Sequence, residues 1–284
     1  MNLEQSWSDH TLVAFDLETS GAFPRGHDIV EFGAVKWKDG KEVDQLQLLI
    51  KPRRPMGVNV IQIHGISNEM VEGAPSFKEV SQQIRNFFDG TVGLAHHAPF
   101  DMGFLADEFE RAGLTLPDTT VLCTSLLSRK LINDVENHKL QTLVKALGLP
   151  GGQAHRALDD ARACLHLGLK CFEKAVPKTS LKDLQEIMEK KIHWPYYSLN
   201  SLEHSFMPQL NEAMALQKPV KVKLSKGEQK GQWQTAFING IVRNPDGDYI
   251  AAYFLEQKKP KRIYFDAIEQ IQGPAGVEFV GAGS

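Results

Sequence analysis

Two carboxylates, Asp16 and Glu18, stand two residues apart at the end of the apolar run Val13-Ala14-Phe15, just ahead of Thr19-Ser20-Gly21. On a β-strand alternate side chains share a face, so both acids point one way while Phe15 and Leu17 point the other. Such a pair is costly to desolvate unless a cation or hydrogen-bond donors neutralise it. A solvated strand end is the plain alternative; a hard divalent cation is the chemical one. Three residues further along bear on the choice. Asp101 falls in the first turn of an expected helix opened by Pro99, where the helix dipole favours an anion, a position also common for aspartates with no other task. Asp160 lies within the helical stripe Ala157, Ala161, Cys164, Leu165, Gly168 and Phe172, an apolar face on which a carboxylate needs a metal, an arginine or a backbone partner. Its neighbour Asp159 points away as a surface acid. His155 precedes that helix on a glycine-containing loop, from which a near-neutral imidazole reaches over a site to take a proton from water; the alternative is an ordinary surface histidine.

The elements that must position these groups are legible as patterns. Leu12 to Leu17, His27 to Trp37 and Val43 to Ile50 read as three strands, the last two joined by an Asp39-Gly40 hairpin signal. Phe77, Val80, Ile84, Phe87 and Phe88 form a helical stripe, and Thr91 to Ala95 a short buried strand. Helices follow after Pro99, over Leu140 to Leu147 and from Ala157 to Phe172. Strands first, then strand and helices in alternation, predict an α/β fold: a mixed sheet flanked by helices. After Pro177, Ser180-Leu181-Lys182-Asp183 has the form of a capping box opening an amphipathic helix. From Val220 the period shortens to four strands, a small all-β unit. The expected domains are 1–176, a helical and aromatic-rich linker over 177–207, and 208–284.

Composition bounds the rest. The formal net charge of the 284 residues is −3, so a nucleic-acid site must be local. Cys123, Cys164 and Cys171 are too scattered for a disulfide framework or a zinc site and are expected as buried free thiols. No apolar run approaches the ~20 residues of a membrane span, and the first residues lack the build of a signal peptide, so a cytoplasmic location is expected.

Together, Asp16-Leu17-Glu18-Thr19-Ser20-Gly21, His96-His97-Ala98-Pro99-Phe100-Asp101 and His155-Arg156-Ala157-Leu158-Asp159-Asp160 resemble the three exonuclease motifs of the DnaQ-like DEDDh family. Ile63-His64-Gly65-Ile66-Ser67 is similar to that family's His-Gly turn near the substrate. The resemblance spans roughly Thr11 to Phe172. It implies a ribonuclease H-like fold and release of nucleoside 5′-monophosphates from 3′ ends of nucleic acid, single-stranded ends above all. It further implies two divalent cations, Mg²⁺ or Mn²⁺, held by Asp16, Glu18, Asp101 and Asp160, with His155 as general base. Asp16 would bridge both ions, Glu18 and Asp160 would favour the water-binding one, and Asp101 the leaving-group side. Thr19, His64, His97 and Phe100 are the implied substrate contacts. His97 stands where the family usually has Asn, a residue expected to help hold the substrate terminus.

Within the C-terminal part, Tyr249-Ile250-Ala251-Ala252-Tyr253 and Arg262 to Ile268 resemble a WYL domain, a small β-barrel. Asp248 replaces the Trp of the naming triad, and Tyr264 and Ala267 stand where arginines are usual. This part is rich in Lys and Arg interleaved with Trp233, Tyr249, Tyr253 and Tyr264, a composition suited to tracking a phosphate backbone and stacking bases, or to a solvated charged face over an aromatic core. A non-catalytic nucleic-acid binder, or a scaffold recruiting a protein partner, are the alternatives to an enzyme.

Overall fold

Thr11–Thr19 (β1) is the middle strand of a five-stranded mixed sheet in the computed structural model, which describes residues 2–177, 179–243 and 245–274. Ile29–Lys38 (β2) and Lys41–Leu49 (β3) flank it on one side as antiparallel neighbours, turning at Asp39-Gly40 as the hairpin signal predicts. Three helices follow: Val58–His64 (α1), Asn68–Glu72 (α2) and Phe77–Phe87 (α3). Thr91–Ala95 (β4) then pairs parallel with β1 on its other side. Pro99–Arg111 (α4) leads to Val121–Cys123 (β5), which pairs parallel with β4 and gives the order β3-β2-β1-β4-β5. The unit is completed by Thr124–Leu131 (α5), Leu140–Leu147 (α6), Ala157–Lys174 (α7) and Leu181–Met188 (α8).

The alternation read from the first motif sorts β1 as expected. Phe15 packs edge-on against Phe88 at 5.0 Å, Phe32 reaches the same ring, and Phe88 meets Trp194 at 5.5 Å. Asp16 and Glu18 face the other way, opposite Gly33 and Glu31 in the β1–β2 register. The pairing of β1 with β4 runs only from Thr11 to Ala14, so the acids lie beyond it. Space outside the carboxyl ends of parallel strands is where open α/β sheets place their ligands.

The chain divides into two compact units, Met1–Gly21 with Asp28–Tyr197, and Ala22–His27 with Ser198–Ser284. The stretch 177–207, expected as a linker, falls on both sides of this division. The capping box forms, with Ser180 Oγ accepting from Asp183 N at 3.1 Å and Asp183 Oδ2 accepting from Ser180 N at 3.2 Å. Leu181, Leu184, Met188, Ile192, Trp194 and Tyr197 are buried in the core of the first unit, because the aromatic and aliphatic side chains beyond Pro177 have apolar surface to cover. All three cysteines are buried and free.

The second unit holds Met207–Leu216 (α9) and five antiparallel strands: Val220–Leu224 (β6), Trp233–Val242 (β7), Tyr249–Phe254 (β8), Lys259–Tyr264 (β9) and Ile268–Gln272 (β10), ordered β10-β6-β7-β8-β9. Lys221 and Lys223 alternate with the buried Val220 and Val222, as their spacing predicts. Residues 275–284 of the expected C-terminal domain lie outside the described residues. The hexapeptide Ala22–His27 is built into this unit. A Cβ on Gly26 would come within 1.9 Å of the Asn239 carbonyl oxygen, and one on Gly240 within 2.4 Å of Phe23 Cβ. The base of the excursion is closed by Ser20 N donating to the Asp28 carbonyl and Asp28 N donating to Ser20 Oγ, both at 2.8 Å. No helix of the described residues is long and apolar enough to cross a membrane.

Candidate active site

Four carboxylates from three elements meet on one side of the sheet. β1 supplies Asp16 and Glu18, the first turn of α4 supplies Asp101, and the first turn of α7 supplies Asp160. Pro99 at the start of α4 costs no hydrogen bond there. Asp160 sits where its helical stripe puts it, buried, while Asp159 is half-exposed and accepts from Gln153 N on the preceding loop. One ligand atom each from Glu18, His155 and Asp160 lie within 4.8 Å of one another, close enough to share an ion. Asp160 is oriented from two sides: Gln141 Nε2 donates to Oδ1 at 2.7 Å and the His155 backbone N–H to Oδ2 at 2.8 Å. The His155 backbone is left-handed, with φ of 61°, a conformation that His tolerates better than most residues.

Burial and mutual repulsion set the charge balance of these acids. Burial first, then Asp101, Asp160, Glu18 and Glu31, hold the Asp16 carboxyl well above the usual carboxylate range. Glu18 is pushed up to about 8 by burial and by the charges of Asp160 and Glu31, with Arg156 opposing. Asp101 is raised by burial and by Glu18, against the pull of backbone hydrogen bonds from Asp101 and Leu17. Asp160 is raised by burial, with the His155 N–H and the Gln141 amide opposing. A set of acids that resist ionisation together fits hard divalent cations, whose charge would reverse each of these shifts. Arg156 offsets the burden on Glu18 only in part, for its guanidinium is paired with Glu31.

Glu31 is the acid that sequence reading left out. It lies on β2 directly opposite Glu18, fully buried. It accepts from Arg156 NH2 at 2.8 Å, Arg156 Nε at 3.2 Å, Ala157 N at 3.0 Å and Gln47 Nε2 at 2.9 Å. These donors hold its carboxyl below the usual range even though burial pushes the other way. Gly33, on the same face one pleat along, receives the start of α7 by having no side chain: a Cβ there would stand 2.1 Å from Leu158 N and 2.2 Å from the Ala157 carbonyl carbon. The only sequence signals were an ionisable residue and a glycine inside an otherwise apolar strand.

The residues expected to meet substrate fall into two groups. Thr19 ends β1 and spends its hydroxyl on the Gly21 carbonyl at 2.7 Å. His64 ends α1, with Nδ1 accepting from Ile66 N at 3.0 Å, so its neutral ring carries the proton on Nε2. Burial keeps that ring below its ordinary pKa, and the Thr19 backbone and the charges of Glu31 and His155 act on it, which places it at the edge of the acid cluster. His97 and Phe100 have other described neighbours. His97 is exposed and left-handed, with φ of 72°, and its neighbouring charges are Arg129 and Lys190. Phe100 is half-buried against Phe104 at 5.0 Å. The preceding His96 serves the fold, bridging Thr124 Oγ1 and the His138 carbonyl at 3.0 Å each.

Comparison with known proteins converges on one description. A family model described as Exonuclease matches residues 13–167. The chain is 36% identical over 184 residues to a PolC-type DNA polymerase III of Caldanaerobacter subterraneus subsp. tengcongensis, a match covering 63% of this chain and 13% of that protein. It is 38% identical over 178 residues to the PolC-type polymerase of Lacticaseibacillus paracasei, covering 61% and 12%. The chain thus spans about an eighth of the length of these relatives. Among solved structures, Exonuclease X in complex with 5′-overhanging duplex DNA is 27% identical, covering 62% of this chain and 99% of that one with a TM-score of 0.50. The E. coli Exonuclease I complex with a dA16 oligonucleotide is 17% identical with a TM-score of 0.54, covering 85% and 54%, which shows likeness of fold.

Proposed function

The chain belongs to the exonuclease family, and from that premise we propose that it is a metal-dependent enzyme hydrolysing nucleic-acid phosphodiesters from the 3′ end and releasing nucleoside 5′-monophosphates. The observation that carries this reading is the convergence of Asp16, Glu18, Asp101 and Asp160, with a His155 ring nitrogen within 4.8 Å of Glu18 and Asp160 oxygens. Asp16, Glu18, Asp101 and Asp160 would hold two Mg²⁺ or Mn²⁺ ions, which when bound lower the pKa of a water and offset charge on the attacked phosphate and the departing 3′ oxygen. The protein's share is placement. The mixed sheet fixes the first two acids on a rigid strand, and two helix starts bring the others in. His155 stands on the loop above them, free to accept a proton from the attacking water. His64 and the backbone near Thr19 border the space for the terminal nucleotide.

DNA is the substrate class this reading favours, since the relative of known structure at 27% identity is described with duplex DNA and the curated relatives are DNA polymerases. The C-terminal unit would assist nucleic-acid binding: Trp233 and Tyr264 are 40% and 42% exposed, and Lys221 projects from β6. Two of its cations are paired within the unit, Lys223 with Glu269 and Lys226 with Asp266, each at 2.8 Å. Its grip on a phosphate backbone is therefore expected to be modest and sensitive to salt.

The test is a polarity assay on 5′-labelled single- and double-stranded DNA and RNA with Mg²⁺, Mn²⁺ or chelator. A ladder shortening from the 3′ end only with metal is the expected result. Binding of oligonucleotide without cleavage of any substrate would mark a non-catalytic binder and end the proposal. His155→Ala should lower kcat about 10²–10⁴-fold, the usual worth of a general base, while metal binding persists. Activity within a factor of about ten, given that range, would remove His155 from the role of base.

A further inference from the structure

We propose that Glu31 is a positioning residue, a carboxylate beside the ligand acids that seats the His155–Asp160 segment over the site. The proposal rests on the reading of Glu18 and Asp160 as metal ligands. Its basis is a division of labour between neighbouring acids on one sheet face. Glu18 and Glu31 stand opposite each other on paired strands, yet their surroundings differ in kind. Glu18 offers an oxygen that lies within 4.8 Å of ligand atoms of His155 and Asp160. Glu31 accepts four hydrogen bonds, two of them from the Arg156 guanidinium.

Two of Glu31's partners define where α7 begins. Ala157 is the first residue of that helix, and its N–H is among those that no helical carbonyl can satisfy. The helix lacks a side-chain cap of its own at Arg156, so Glu31 caps it from a strand 126 residues away in sequence. The fork of Arg156 on the same carboxylate fixes the residue before. With Arg156 and Ala157 both held, the chain must enter the helix through the left-handed His155, and this turn aims the His155 N–H at Asp160 Oδ2. Gly33 sets the height at which the helix start lies on the sheet, and Glu31 sets its rotation and register. A metal-binding carboxylate and the candidate base therefore take their positions from one buried acid that touches neither. Partners of this kind typically alter metal affinity or activity 10–100-fold when removed.

The experiment uses the full chain and two changes, the isosteric Glu31→Gln and Arg156→Gln, which removes the guanidinium fork. Mn²⁺ binding is followed by electron paramagnetic resonance, and exonuclease kinetics on a 3′-ended oligonucleotide are measured beside it. Expected for each variant is a loss of Mn²⁺ affinity and of kcat of about 10–100-fold, with little change in KM. The double variant should lose no more than the worse single one, because both changes break the same clamp. Arg156 is partly exposed, so Arg156→Gln keeps the test alive if Glu31→Gln does not fold. Mn²⁺ affinity equal to that of the unaltered protein in either folded variant, or losses that multiply in the double, would overturn the proposal. Failure of the parent reading shows differently: the unaltered protein would cleave no substrate with any metal, whereas the ratios of Mn²⁺ affinity would still decide the clamp.

Discussion

Asp16→Asn is expected to abolish metal-dependent cleavage while raising the thermal midpoint of the metal-free protein. The two effects have one cause. Asp16 is the acid most heavily burdened by its neighbours, with Asp101, Asp160, Glu18 and Glu31 all opposing its ionisation after burial itself. In the loaded enzyme that charge would hold the metals, and losing several kcal/mol of charge stabilisation corresponds to a fall in kcat of about 10³-fold or more. Without metal the same charge is a liability. A carboxyl raised in the folded state binds more protons there than in the unfolded chain, so its stabilising effect is complete below the unfolded pKa and fades as pH rises through the folded one. For Glu18 that window runs from about 4.5 to about 8. Metal-free protein should therefore lose stability across this range. Asp16→Asn and Glu18→Gln should flatten the loss, and Mg²⁺ or Mn²⁺ should reverse it most strongly at the alkaline end. Thermal melts at pH 5, 7 and 8.5, with chelator and with metal, measure all of this. A metal-free midpoint that rises with pH in the unaltered protein would contradict the charge balance of the site.

The second large effect is expected at a residue without a functional group. In Gly33→Ala the added methyl has no room, since it meets backbone atoms of Ala157 and Leu158 at 2.1 to 2.5 Å rather than a side chain that could turn aside. The start of α7 must lift, carrying Asp160 and His155 with it. Overpacking of a rigid contact costs about 1–3 kcal/mol and sometimes more, and a backbone-to-backbone clash belongs at the upper end. Urea denaturation should show a loss of about 3 kcal/mol or more. Molecules that remain folded should have lost metal-dependent cleavage to a degree approaching that of Asp16→Asn. Stability and turnover equal to those of the unaltered chain would show that α7 is not seated on Gly33.

These two residues mark what local sequence could reveal. Asp16, Glu18, Asp160 and His155 were legible because each departs from a local pattern: acids at the end of an apolar strand, an acid in an apolar helical stripe, a histidine on a glycine-containing loop ahead of that helix. Gly33 and Glu31 depart from a pattern too, but their meaning depends on which helix comes down upon them, and that partner lies more than 120 residues along the chain. His97 is a different case. The family's usual Asn and this chain's His share a tolerance for left-handed backbone, and the structure places His97 in that conformation beside Arg129 and Lys190. The stretch after Pro177 read as a linker because a proline and a short amphipathic helix look alike at a boundary and within a core. Only the burial of Trp194 and Tyr197 separates the two cases.

The hexapeptide Ala22–His27 limits how this protein can be taken apart. The second unit is assembled from two separate lengths of chain, the shorter leaving β1 just beyond Ser20-Gly21 and returning at Asp28. Scission after Tyr197 would not yield two intact modules. One product would keep a hexapeptide stripped of the β7 backbone against which Gly26 and Phe23 are fitted, and the other would lack the residues packed on that backbone. Expression of residues 198–284 alone, or a swap of that segment for another, interrupts a unit rather than isolating one.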